Sequence, residues 1–160
     1  MVKVHQTTGI GAPMFVHDFV AVGRPVDSTV IRFSSLLDSH LASMVRHSWN
    51  ANAPVVCATA DKAVHNVSAG TVQVERRGQH LRQDALITNV RWSGDGWLPA
   101  LDADLEVVAF GSECTHLHLM GRYELPAEID RFSPLGSLVQ RAMVMAVRGF
   151  LIGLGDELEA

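Results

Sequence analysis

"LDADLEVVAFGSECTHLHLMGRY", residues 101–123, holds two runs of alternating apolar and polar side chains separated by "FGSEC". A period of two is the signature of a strand with one buried face. Leu101, Ala103, Leu105, Val107 and Ala109 share a face of the first run, and Thr115, Leu117, Leu119, Gly121 and Tyr123 share a face of the second. A hairpin joining the runs must match apolar face to apolar face, because a slip of one residue turns every side chain over. A two-residue loop at Gly111-Ser112 sets Leu105 opposite His118 and spoils both faces. A three-residue loop, Gly111 to Glu113, sets Leu105 opposite Leu119 and Val107 opposite Leu117, and this register is predicted.

The same register places His116, His118, Met120 and Arg122 on the other face, with Glu106 beside His118 and Asp102 beside Arg122. His-x-His with a carboxylate on the next strand is a legitimate zinc constellation, since two imidazoles on one strand face converge. A catalytic metal also needs a recessed site with oriented supporting hydrogen bonds, and this face reads as open. The expectation is a solvated Glu–His pair, with no metal and no cofactor. His5, His17, His40, His47, His65 and His80 form no HExxH-type spacing.

Working outward, "TVQVERRG" (71–78) and "HLRQDALITNVRW" (80–92) are predicted to pair around Gly78, with "SGDG" (93–96) as the turn into the next pair. Upstream, "MFVHDFVAV" (14–22) reads as a strand ending at Gly23, and Pro25 suits a helix start. Val26, Val30, Phe33 and Leu37 recur at helical spacing over 26–37. A second helical piece over 38–49 buries Leu41, Met44, Val45 and Trp49. Residues 51–70 stay open between a short strand with a loop and a further helical turn. Downstream, one long helix is predicted from 133 to about 158, polar along Arg141 and Arg148 and apolar along Val139, Met143, Ala146, Phe150 and Leu154. An open antiparallel sheet has one apolar face, and this helix has the stripe to cover it, so the class is α+β.

The 160 residues suit one domain, and the 48% hydrophobic composition supplies its core. Seventeen acidic against thirteen basic side chains, a formal charge of -4 without a basic cluster, argue against nucleic acid as a partner. Cys57 and Cys114 are too few for a disulfide framework and are expected as reduced thiols. The N-terminus lacks an uninterrupted apolar core for a secretory signal, and Gln140, Arg141 and Arg148 break the most apolar later stretch as a membrane span. A cytoplasmic protein is expected.

The strand-to-"RPVDSTVIRF" helix start, "RRGQHLRQDALITNVRW", "LPALDADLEVVAFGSECTHLHLMGRYELP" and "LGSLVQRAMVMAVRGFLIGLGDEL" together resemble the START-like superfamily, also called SRPBCC. That group includes polyketide cyclases/aromatases, lipid-transfer START domains and the birch-pollen-allergen proteins. Trp92, the Asp104-Leu105-Glu106 run, and Thr115, Leu117, Leu119, Gly121, Tyr123 and Pro126 sit as in bacterial members. The resemblance implies a single domain over 14–158 behind an N-terminal extension, 1–13. It implies a helix-grip fold, in which a curved antiparallel sheet wraps the long C-terminal helix and leaves a cavity for an apolar ligand.

The ligand-binding walls implied are Thr88, Val90 and Trp92 on one strand, Leu105 and Val107 on the next, and Leu117, Leu119 and Tyr123 on the third. Met143, Ala146 and Phe150 face them from the helix. No catalytic set carries over residue by residue, and the polar candidates on the inner faces are Thr88, Thr115 and the Tyr123 hydroxyl. Gly149 and Gly153 are read as letting the sheet approach the helix or as leaving room for ligand. Trp97 and Leu98, with Val108 and Phe110, are read either as an outward apolar patch making a homodimer contact or as an ordinary exposed sheet face. The leading function is binding or transport of a small apolar or amphipathic molecule such as a lipid, isoprenoid or polyketide. The alternatives are a cyclase/dehydratase-type enzyme using the same cavity and a packed interaction domain without ligand.

Overall fold

The computed structural model describes residues 13–54 and 67–160. Strand β1 (Met14–Val22) leads into helices α1 (Val26–Ser35) and α2 (Asp38–Asn52). Strands β2 (Val72–Arg82), β3 (Ala85–Gly94), β4 (Leu101–Ala109) and β5 (Thr115–Tyr123) follow, and helix α3 (Pro134–Glu159) closes the chain. The five strands form one antiparallel sheet in the order β1-β5-β4-β3-β2, so β1 and β2 are its edges.

The β4–β5 register is the one that the alternation demands: Leu105 pairs with Leu119, Val107 with Leu117 and Glu106 with His118. The Phe110 N–H donates to the Cys114 carbonyl at 2.9 Å, closing the three-residue loop. Gly111 takes φ +83°, a left-handed conformation that costs glycine nothing. At Gly121 an added Cβ would stand 2.5 Å from Ala103 Cβ, so only glycine lets β5 lie this close to β4 there.

Two sequence readings of these elements need correction. Gly78 is not the centre of a hairpin; β2 continues through it to Arg82, and the turn is Gln83-Asp84. The register shifts between Arg76 and Gly78, so this glycine marks a bulge, the other use of glycine within a strand. Leu37 is not in the core but 70% exposed, because α1 stops at Ser35 and the chain extends through Leu36 and Leu37 before α2. Thr29 and Phe33 supply the buried face of α1 instead, with Val26 and Val30 packed at its margin. Of the open segment 51–70, α2 takes in residues 51 and 52, while Cys57 and His65 lie outside the described residues. Cys114 is a free, half-buried thiol.

Helix α3 begins where sequence rules put it. The Ser133 hydroxyl accepts the Gly136 N–H at 3.0 Å, and Pro134 occupies the first turn. Its far end is held by arginines: Arg24 donates to the Glu159 and Ala160 carbonyls and Arg32 to that of Glu157. These satisfy acceptors that a helix terminus leaves open. Among the described residues α3 is the one helix long and apolar enough to cross a membrane, but 50% of its apolar window is buried within the protein, as in a core helix.

Gly149 and Gly153 face α2 rather than the sheet. A Cβ at Gly149 would sit 2.4 Å from Ser48 Oγ, and one at Gly153 would touch the end of Met44. Ser48 donates to the Ala146 carbonyl at 2.6 Å, so the small residues serve a close crossing of two helices.

Candidate functional site

All eleven wall residues converge between the sheet and α3, none more than 3% exposed. Pairing across the sheet sets Thr88 opposite Leu105 and Leu105 opposite Leu119, while Trp92, Leu101 and Tyr123 form a second row. From the helix, Phe150 meets Trp92 edge to face with ring centroids 5.5 Å apart. Ala146 and Met143 lie one and two turns earlier on the same buried stripe.

Helix α3 does not run evenly over this floor. Its backbone lies close to β1, where a Cβ at Gly155 would meet Val20 at 3.5 Å, and keeps farther from β3 and β4. Large side chains span the wider side, and Thr88 stands on that side.

The polar atoms of this interior fall into two groups. Most are engaged: Thr115 donates to the Arg24 carbonyl at 2.7 Å and meets the Thr29 hydroxyl at 3.3 Å. The Trp92 indole donates to the Pro99 carbonyl at 3.3 Å, and the Trp49 indole to that of Val67 at 2.7 Å. The Thr88 hydroxyl is different, being buried with no hydrogen-bond partner among the described residues. Burial raises the pKa of the Tyr123 phenol, which keeps it protonated.

Among the described residues, the sheet brings charged side chains to its inner face from the two edge strands. Asp18 on β1 pairs with Arg148 of α3 at 2.9 Å. Arg76 on β2 pairs with Asp38 at 2.6 Å and also donates to the Phe33 and Leu36 carbonyls. The sequence reading missed both, since each joins a strand to a helix distant in the chain. Arg148, read only as part of the polar side of the helix, folds its tip back to β1.

The histidines of the opening motif lie on the outer face and are half-buried. His116 stacks on Phe110 at 4.1 Å between ring centroids, and Phe19 stacks between His116 and His118 at 5.5 and 5.3 Å. His17 continues the row at 5.9 Å from His118. Loss of water contact lowers the His118 pKa first, the charges of His116 and His17 lower it further, and Glu106 opposes them. Among the described residues no three His, Cys, Asp or Glu side chains are grouped to hold a metal ion. The outward apolar patch differs from the one read in the sequence. Leu98 is buried and Trp97 packs against the core, while Phe15, Phe19, Phe110 and Met120 are the exposed members.

No protein-family model and no curated protein matches the sequence. Solved structures do match. A hypothetical protein from Helicobacter pylori superposes with a TM-score of 0.53 at 13% identity, over 89% of this chain and 86% of its own. An aromatase/cyclase from Streptomyces gives 0.47 at 12% identity over 92% and 94%. Norcoclaurine synthase from Thalictrum flavum gives 0.41 at 12% identity over 92% of each. At these identities the likeness is one of fold. The fold is α+β of the helix-grip kind: an open antiparallel sheet, two short helices after the first strand, and a long C-terminal helix across the apolar face.

Proposed function

We propose that this protein binds a small apolar or amphipathic molecule, of the lipid, isoprenoid or polyketide type, between the sheet and α3. The observation that carries the reading is the Thr88 hydroxyl, buried without a partner among the described residues on the side of the sheet from which α3 stands off. An unpaired buried hydroxyl costs about 1–3 kcal/mol, a cost that a bound molecule offering it an oxygen offsets. The surrounding Val90, Trp92, Leu105, Leu119, Met143 and Phe150 supply an apolar wall, as small-molecule sites require. A cytoplasmic setting, in which Cys114 stays a thiol, goes with this reading.

A cyclase- or dehydratase-type enzyme in the same space has one observation in its favour, the buried Tyr123 phenol. Held protonated, that group can polarise a carbonyl but cannot act as a base near neutral pH. Asp18 and Arg76, the other ionisable groups of the described inner layer, are tied into ion pairs. Binding is therefore favoured over catalysis.

Titration of the purified protein with Nile red, an uncharged dye that brightens in apolar surroundings, tests the reading. Saturable one-to-one binding that an unlabelled apolar competitor reverses is expected. A signal that only rises linearly with dye would leave the packed interaction domain standing.

A further inference from the structure

We infer that the molecule bound beside Thr88 is electrically neutral and carries an uncharged oxygen, a carbonyl or a hydroxyl, at the point where it meets that side chain. The inference rests on the binding reading above and specifies the chemistry of its occupant. Thr88 is 1% exposed and its hydroxyl has no partner among the described residues, whereas Thr29, Thr115, Ser48 and both buried indoles are hydrogen-bonded within the protein. Among the described residues, the one fully buried side-chain polar atom left unmet is thus a hydroxyl oxygen, a group that can donate one hydrogen bond and accept others but brings no charge.

The charges of the layer point the same way. An anionic headgroup needs a free cation, yet Arg76 is held by Asp38 and two backbone carbonyls. A cationic group needs a free carboxylate, yet Asp18 holds Arg148 and accepts the Phe19 N–H at 2.8 Å. Asp18 stands on the far edge strand, while on β2 Thr88 faces the uncharged Gln79 and the committed Arg76 lies opposite Val90; Leu86 and Val90 flank Thr88 on β3, and Leu105 lies opposite on β4. A naked charge brought to Thr88 would lose its hydration and gain a single neutral hydrogen bond, a strongly unfavourable exchange. A carbonyl or hydroxyl loses far less and gains the same bond.

Fluorene and 9-fluorenone, planar molecules of nearly equal size that differ by a CH2 against a carbonyl, provide the test. Their dissociation constants are to be measured by calorimetry on the wild type, Thr88→Val and Thr88→Ser. Valine keeps the shape of threonine and removes the hydroxyl, while serine keeps the hydroxyl. Thr88→Val is expected to weaken 9-fluorenone about three- to tenfold, the worth of one neutral hydrogen bond, and to leave fluorene within about twofold. Thr88→Ser should retain most of the wild-type preference. Equal effects on both probes, or none on either, would overturn the role of Thr88 while leaving a binding protein. If the wild type holds neither probe, the binding reading falls and this inference with it. Tighter binding of fluorene-9-carboxylate than of 9-fluorenone would overturn the neutrality of the site.

Discussion

Arg148 of α3 and Asp18 of β1, 130 residues apart, meet at 2.9 Å, and the same Arg148 nitrogen also donates to the Phe19 carbonyl at 2.8 Å. The Phe19 N–H is taken by the Asp18 carboxylate. Together the two side chains occupy the outward-facing backbone groups of Phe19, midway along an edge strand. An edge strand with open N–H and C=O groups is a template for another chain, and charge placed across it is one way to block pairing.

Removing that block should change association more than stability. The pair is partly exposed, so Arg148→Ala is expected to cost no more than about 1 kcal/mol in denaturant unfolding. Sedimentation velocity should show concentration-dependent self-association in the variant beyond that of the wild type. Unchanged sedimentation over a hundredfold concentration range would remove the blocking role.

His118 on the outer face gives stability a pH dependence of definite sign. The folded-state pKa of His118 lies below its ordinary value, so the unfolded chain binds the proton more readily. Stability from this group is therefore full above the unfolded pKa, about 6.5, and is lost as pH falls through the folded one. Melting temperature should drop between about pH 7 and 5.5 in the wild type and drop less in His118→Gln. A steeper fall in the variant would contradict the sign.

Replacing both His116 and His118 by alanine should leave fold and Nile red binding nearly unchanged, since both stand on the face away from α3. Stoichiometric zinc in the wild type that disappears in this double variant would instead revive a metal site.

Met143 is fully buried on the helix stripe that faces the sheet. In a solid core, Met143→Ala should cost roughly 2–5 kcal/mol, whereas in a wall beside a binding space it should cost much less. The binding reading predicts the smaller loss together with a clear change in probe affinity. A loss at the top of that range, with no probe bound by the wild type, is the result that rejects it.

The helix crossing offers a test of packing alone. Gly149→Ala puts a methyl 2.4 Å from Ser48 Oγ and displaces the hydroxyl from the Ala146 carbonyl. A loss of about 1–3 kcal/mol is expected. Combining it with Ser48→Gly should restore part of that loss, a coupling that independent sites would not give.

How far the sequence could be read follows from the range of each interaction. The β4–β5 register was legible because only one loop length matches both apolar faces, a condition written entirely within 101–123. Gly78 was not, because glycine in a strand reads equally as a turn or a bulge, and the choice belongs to the partner strand. The α1 boundary was misread for a similar reason: Leu36 and Leu37 are both apolar, and the placement of α2 selects which one packs inward.

Thr88 and Thr115 mark the division most sharply. Alternation assigned Thr115 to the inner face and the family resemblance placed Thr88 there, and the pleat fixes which side chains share a side. Their fates diverge only in the assembled molecule, where Thr115 comes within 2.7 Å of the Arg24 carbonyl and Thr88 comes within reach of no partner among the described residues. Burial follows a periodicity carried by neighbouring residues, so one strand suffices to declare it. A hydrogen bond depends on tenths of an ångström between distant segments, so the tertiary structure alone decided which buried hydroxyl is left unmet.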